Sequence, residues 1–358
     1  SVPAIIGLIV KQGEKSEKQL ESNTKKADFK AIGERFGIDQ VMARIIRNRG
    51  LETDEQINMY LNGTVDDMHS PHLLKDADKC VDILTDKIQA GKKIHIIGDY
   101  DIDGICSTTI LYKGLKAAGA DVTFAVPDRI IDGYGINEHL IDEAYNNGTD
   151  TIITCDNGIA AVQEIAYAEG LGMTVIVTDH HEVQEELPPA QVIVNPRQTD
   201  CPYPFKKLCG AAVAWKLVGE LWKQMKLPMA ALYDDLLMFA GFATVGDVMD
   251  LTGENRILVR EGLKRLHMTT HPGMSALIEV NELARDTLSA FHIGFVLGPC
   301  INASGRLATA KRALELLDTE EQDLALERAA ELKHLNDERK ELTEQGLTQA
   351  VDLIEHSI

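Results

Sequence analysis

The stretch Gly172–Val183 reads GMTVIVTDHHEV. Its apolar run, Thr174 to Val177, is rich in β-branched residues and carries no polar alternation, the pattern of a strand covered on both faces in a parallel sheet. An acid and two adjacent histidines, Asp179, His180 and His181, follow immediately. In open α/β sheets ligands bind outside the carboxyl ends of the strands. The polar triplet therefore stands where such a fold would place its chemistry, and an ordinary polar loop is the competing reading.

Four more apolar runs flank it: KKIHIIGD, DVTFAVPD, DTIITCDNG and AQVIVNP, separated by amphipathic segments such as GICSTTILYKGLKAAG. This succession predicts an α/β fold, a parallel sheet with helices on both faces. Ahead of it, residues 1–27 mix the short apolar run SVPAIIGLIV with the polar KQGEKSEKQLESNTKK, low in core formers, and read as a loose or atypical leader. Residues 28–90 read as a helical prelude, in which TDEQINMYLNG opens on a capping Thr and closes on Gly. After Cys209 the pattern is helical again, through GAAVAWKLVGELWKQM and LYDDLLMFAGFATVGD. The expected domain spans 91–317, and the charged segment 318–358 reads as one long helix that bridges or packs as an arm.

The chain has 358 residues, 44% hydrophobic and 5% aromatic, enough for a sizeable core. It has no stretch long and apolar enough to span a membrane, and SVPAIIGLIV lacks a basic leader, so the expected location is the cytoplasm. Six cysteines without a CxxC pair suit free thiols in a reducing compartment. A net charge of −20 argues against broad adhesion to nucleic acid, because phosphate neutralisation by Lys and Arg supplies most of that affinity. Acids that ligate a cation would change that reading, since a bound divalent ion reverses the local sign.

Four segments end in acids or histidines. GDYDIDG places Asp99, Asp101 and Asp103 at alternate positions before Gly104. Alternate spacing along an extended segment points carboxylates to one side, and like charges so close repel unless a cation neutralises them. TCDNG supplies Asp156, TDHHE supplies His180 and His181, and ATVGDVMDL supplies Asp247. Singly each is weak, because Asp after a strand commonly caps the next helix. Together they form an oxygen-rich set with one or two imidazoles, better suited to Mn²⁺ or Mg²⁺ than to thiolate-bound zinc. Such a set points to hydrolysis of a phosphoester or phosphoanhydride. His95, His139, His267, His292 and His334 lack partners at ligand spacing and read as structural or solvated. The RIIDGYGIN loop, with Arg129 and Tyr134, is either a substrate contact or a simple turn, and the CGAAVAWK helix start offers either anion-binding N–H groups or small-residue packing.

In this order, GDYDIDG, CDNG, DHH and TVGDVMDL resemble the signature motifs of the DHH phosphoesterase superfamily, and GPCINASGRL at 298–307 resembles the further motif of its RecJ branch, the single-strand-specific 5′→3′ DNA exonucleases. The resemblance runs from about residue 26 to the end. It implies a two-manganese nuclease core, with Mg²⁺ as the other candidate ion, acting on single-stranded DNA in repair and recombination. A helicase or a single-strand-binding protein would be the expected partner, and no membrane. Carried over by position, Asp101 and Asp103 each favour one ion, Asp156 bridges both, His180 and Asp247 complete the second site, and Asp99 is an additional or supporting ligand. His181 stands beside the scissile phosphate, and Asn302, Ser304 and Arg306 are expected to bind phosphate, with NASGR as a small-residue turn. Two positions depart from the pattern: Ile97 stands where many members have His, and Cys300 where many have Arg, which removes one potential phosphate contact. The family usually adds a second domain beyond the connecting helix. The chain ends within that helix, so it is expected to bind metal but to degrade DNA poorly. Two further readings share the motifs: a small-substrate phosphoesterase (oligoribonuclease, cyclic-dinucleotide phosphodiesterase or pyrophosphatase), and a non-catalytic replication-fork scaffold.

Overall fold

β-Branched runs form the sheet because their side chains pack well on a pleated surface buried from both sides. The computed structural model describes residues 27–129, 132–228, 231–307 and 309–355; the expected leader, up to residue 26, lies outside them. The five strands are β1 (Lys93–Ile97), β2 (Asp121–Ala125), β3 (Thr151–Cys155), β4 (Thr174–Thr178) and β5 (Val192–Val194), all parallel, in the order β2-β1-β3-β4-β5. The chain leaves β1 toward β2 on one side and later toward β3 on the other. The carboxyl ends of β1 and β3 therefore form the switch point at which doubly wound sheets bind ligands.

The chain divides into two compact units, Ser1–Asp67 and Met68–Ile358. In the described part of the first, α1 (Phe29–Phe36), α2 (Gln40–Asn48) and α3 (Asp54–Asn62) close over Ile46, Ile57 and Tyr60. Thr53 caps α3 in a reciprocal capping box with Gln56, as the sequence predicts. The division falls at Asp67 rather than near residue 90, because α4 (Ala77–Gln89) buries Ala77, Cys80, Val81 and Leu84 and packs within the sheet-bearing unit.

In that unit, α5 (Ile102–Ala117) follows β1, α6 (Glu138–Asn146) precedes β3, and α7 (Val162–Gly170) joins β3 to β4. One face of the sheet, with Ile152, Val175, Val177 and Ile193, is covered by Leu140, Ile141 and Ala144 of α6 and Ile165 and Ala168 of α7. Across the sheet, α5 and α8 (Gly210–Gln224) pack on each other, and the Trp222 indole donates to the Gly114 carbonyl at 2.9 Å. Each fully buried Ile or Val in these layers contributes about 1.5–3 kcal/mol. The helical part continues with α9 (Ala231–Gly246), α10 (Gly253–Met268), α11 (Pro272–Val280), a π-helical turn (Ile293–Leu297), α12 (Gly298–Leu307), α13 (Lys311–Asp318) and α14 (Gln322–Glu355). The long terminal helix thus begins at Gln322. Its first half buries Ala325, Ala329, Leu332 and Asn336, whereas Leu342, Leu347 and Leu353 are exposed.

His271 is the N-cap of α11, its Nδ1 accepting from the Met274 N–H at 3.4 Å. Burial, with a smaller contribution from the Lys113 charge, pushes its pKa down from 6.5 to about 4. Burial and Lys93 do the same to His95, which pairs with the Thr123 hydroxyl at 2.7 Å. Between these two pKa values the unfolded chain holds the extra protons, so this contribution to stability is present above the unfolded value and is lost as pH falls toward the folded one. As pH falls from about 7 to about 4.5, the melting temperature of His271→Asn, which keeps a cap acceptor that does not titrate, is expected to gain on that of the parent, so that this contribution is read as the difference between the two. A difference that stays constant with pH in thermal melts would show that the cap does not titrate.

Candidate metal centre

Each strand end delivers one part of the site. After β1, Asp101 is the N-cap of α5, its Oδ1 accepting from the N–H groups of Asp103 and Gly104 at 2.9 and 3.1 Å. This cap turns the chain sharply enough to gather Asp99, Asp101 and Asp103. Asp103 is wholly buried, and its carboxylate accepts from the backbone N–H groups of Gly210 and Ala211 at 2.6 and 2.9 Å. The helix start in CGAAVAWK thus does bind an anion, and the anion is this chain's own Asp103. Gly210 is required there, because a Cβ would lie 2.8 Å from the Cβ of Asp156.

Asp156 follows β3 in the left-handed region, φ 61°, a conformation that Asp tolerates better than most residues. After β4, Asp179 organises the two histidines: its Oδ1 accepts from the N–H groups of His180 and His181 and pairs with His181 Nδ1 at 2.8 Å, while its Oδ2 accepts from the Ile159 N–H at 3.0 Å. His180 Nε2 then lies 3.0 Å from Asp156 Oδ1, 3.4 Å from Asp103 Oδ2 and 3.7 Å from Asp247 Oδ2. Asp247 stands just past the end of α9, and Val248 beside it takes φ 56°, a strained conformation for a β-branched residue.

Three groups offer ligand atoms within 4.8 Å of one another: Asp99, Asp101 and Asp156; Asp103, His180 and Asp247; and Asp156, His180 and His181. Burial and the neighbouring carboxylates Asp103 and Asp101 hold the pKa of Asp156 well above the ordinary range. Burial and Asp101 push Asp99 up to about 7, and burial, Asp103 and Asp101 push Asp247 up to about 7. Asp101 is raised by burial and by Asp103, whereas burial lowers His180 against the pull of Asp103. Asp99 Oδ1, Asp156 Oδ1 and both ring nitrogens of His180 are buried without a hydrogen-bond partner among the described residues. Unpartnered buried oxygens and a neutral imidazole facing one another form a donor set that fits a divalent cation.

His181 differs. It is half-exposed, and its hydrogen bond with Asp179 outweighs burial and raises its pKa. Burial would raise Asp179, but the hydrogen bond and charge of His181, with the Ile159 and His181 N–H groups, hold it below the ordinary carboxylate value. The Tyr134 hydroxyl donates to the Asp156 carbonyl at 3.1 Å and lies 3.4 Å from His181 Nδ1, and Arg129 stacks over the Tyr100 ring. Tyr134 of the RIIDGYGIN segment thus reaches the site.

The segment GPCINASGRL is α12, a helix rather than a turn. Its small residues serve close packing: a Cβ on Gly305 would fall 2.5 Å from the Tyr100 carbonyl oxygen. Asn302 Oδ1 accepts from the Ile102 N–H at 2.8 Å, tying α12 to the segment that carries Asp101. Ser304 is wholly buried, and its hydroxyl donates to the Ile301 carbonyl of its own helix. Arg306 is exposed on the same helix and joins no ion pair among the described residues. Cys300 lies in the interior against Asn281 and Asn336, so its difference from the family pattern is met by packing. Sequence reasoning assigned no role to Asp179, although it is the first letter of the DHH run; only the fold shows that its carboxylate aims the rings. Arg197, which tempers the charge at His180 and Asp247, had no signal in the sequence.

The DHH family, N-terminal domain, matches residues 93–240. The single-stranded-DNA-specific exonuclease RecJ of Bacillus subtilis (strain 168) is 37% identical over 326 residues, 91% of this chain and 41% of that protein. The RecJ of Escherichia coli (strain K12) is 34% identical over 320 residues, 86% of this chain and 54% of its own length. The chain spans about half the length of these curated relatives. Among solved structures, exonuclease RecJ bound to manganese superposes with a TM-score of 0.70 at 36% identity, covering 77% of this chain and 69% of the other. RecJ in complex with Mn²⁺ from Thermus thermophilus gives 0.75 at 30% identity, covering 90% of this chain and 45% of the other. With sequence identity of this order across the sheet, the strand-end motifs and α12, the chain belongs to the RecJ family of DHH proteins.

Proposed function

We propose that the chain carries the catalytic centre of a metal-dependent phosphodiesterase that degrades single-stranded DNA from the 5′ end, in repair and recombination. The observation that carries this reading is the set of buried, unpartnered acid oxygens and imidazole nitrogens at the carboxyl ends of β1, β3 and β4. Asp99, Asp101 and Asp156 would hold one divalent ion, and Asp103, His180 and Asp247 a second, with Asp156 also within reach of His180. Two such ions, manganese or magnesium, supply Lewis acidity that polarises a phosphoryl oxygen and lowers the pKa of water.

The chain's own residues supply position and charge. The α8 N-terminus fixes Asp103, and Asp179 holds the His181 ring in place and favours its protonated form, so that the half-exposed imidazole offers a donor to a phosphate oxygen. Arg306, exposed on α12, and Asn302, which fixes that helix to the Asp101 segment, are the proposed phosphate-side elements. The single-stranded substrate is the one named for the RecJ relatives, and the 5′ polarity rests on the resemblance of the motifs to the RecJ branch. A helicase or a single-strand-binding protein suits that substrate as a partner. Six free, buried cysteines fit a reducing, cytoplasmic setting. Among the described residues no helix is long and apolar enough to cross a membrane.

Three outcomes are expected. Incubated with Mn²⁺ and end-labelled single strands, duplexes, short RNA and cyclic dinucleotides, the protein should prefer long single-stranded DNA; cleavage of the small substrates alone would assign it to the small-substrate branch. Asp156→Asn should melt higher than the parent in EDTA, since it removes a crowded buried charge, yet lose the stabilisation that Mn²⁺ gives the parent, which is about 2.7 kcal/mol at a hundredfold excess over Kd. A parent whose melting temperature ignores Mn²⁺ would refute the metal centre. Asp179→Asn should lower activity by about 10–100-fold and weaken Mn²⁺ binding in calorimetry by less, because it loosens both histidine rings but leaves the acid set in place.

A further inference from the structure

Beside His181 lies a cavity of about 490 Å³ that no step of the proposed hydrolysis uses. Its size is that of a small-molecule site. Apolar lining comes from Ile136, Ile159, Ala160 and Ala161, and polar lining includes Glu164 and His181. The walls are rigidly tied to the metal centre. Asn157, wholly buried next to Asp156, accepts from the Ile136 N–H at 3.1 Å and donates to the carbonyls of Ile97 and Cys155 at 3.0 and 2.9 Å. The Ile159 N–H is held by Asp179, the residue that aims His181. A group seated in this cavity is therefore held at a fixed distance from a phosphate at the centre.

The charge pattern restricts what that group can be. Glu164 stands in the first turn of α7 and joins no ion pair among the described residues, whereas the other two carboxylates of the lining are paired, Asp179 with His181 and Glu182 with Arg197. The Glu164 carboxylate repels a phosphate seated there. The cavity instead favours a flat, uncharged group with an apolar face and hydrogen-bond donors on its edge, which describes a nucleobase bearing an exocyclic amine.

We propose that this cavity seats the base of the nucleotide next to the scissile phosphodiester, with Glu164 accepting a hydrogen bond from the exocyclic amine of cytosine or adenine. This inference rests on the phosphodiesterase reading above and assigns a base subsite to it. Glu164 acts as a specificity residue and takes no part in the bond breaking.

Methyl NMR of the isoleucine-labelled protein, saturated with Mg²⁺ and titrated with dCMP, dTMP or deoxyribose 5-phosphate, tests it without requiring turnover. The Ile136 and Ile159 methyls should shift with dCMP and dTMP and stay still with deoxyribose 5-phosphate. Ala161→Trp, which fills the cavity, should abolish the response while leaving the other isoleucine signals in place. Glu164→Leu, which removes the acceptor, should weaken dCMP by about five-fold, the size of one hydrogen bond, and leave dTMP within about two-fold. Silent methyls at millimolar dCMP, or an equal response to deoxyribose 5-phosphate, would overturn the base subsite, and equal weakening of dCMP and dTMP would overturn the role of Glu164. Shifts accompanied by cleavage of the small substrates alone would sink the single-strand nuclease reading and leave a nucleotide subsite standing, whereas preferential cleavage of single-stranded DNA with silent methyls would do the reverse.

Discussion

Mutual repulsion among carboxylates that the fold refuses to separate governs this molecule. Asp99, Asp103 and Asp156 are almost wholly withdrawn from solvent, with Asp101 and Asp247 close by, and burial and proximity together drive most of them away from their ordinary acidity. A chain selected only for stability would replace such a cluster with apolar side chains, since buried unpaired charge costs several kcal/mol per ion. The surroundings hold the cluster in place instead. A helix N-terminus fixes Asp103, a cap fixes Asp101, and Asp156 takes a left-handed backbone conformation. Each device makes sense if a cation completes the charge balance.

The sheet makes this crowding possible. In the order β2-β1-β3-β4-β5, the ends of β1, β3 and β4 are neighbours, so three segments far apart in sequence emerge side by side. Helices α8 and α9 then bring Asp103's anchor and Asp247 to the same edge, and α12 packs against Tyr100 through Gly305 so closely that no side chain larger than hydrogen fits. The site is thus rigid on several sides, which suits chemistry that depends on placing charge rather than on moving parts.

The two histidines show how one carboxylate can separate two roles. Asp179 accepts from both backbone N–H groups, which directs His180 inward among acids and leaves His181 at the half-exposed edge beside the cavity lined by Ile136 and Ile159. The inward ring is pushed toward its neutral, ligating form, and the outer ring toward its protonated, donating form.

The parallel α/β sheet is legible in the chain alone, because uninterrupted β-branched runs ending in acids have few other homes. So are the acids and the histidine pair that matter, because alternate carboxylates in GDYDIDG are costly in any ordinary loop. The order of the motifs also carries the family. How these residues are used is a matter of three-dimensional packing. That GPCINASGRL is a helix, that Ser304 and Cys300 face inward, that the α8 N-terminus serves Asp103, and that Asp179 aims both rings depend on how the chain is arranged in space, and several of these contacts join segments tens to hundreds of residues apart. Local periodicity specifies a residue's face on its own helix or strand, but which neighbour meets that face is fixed by packing across the whole domain.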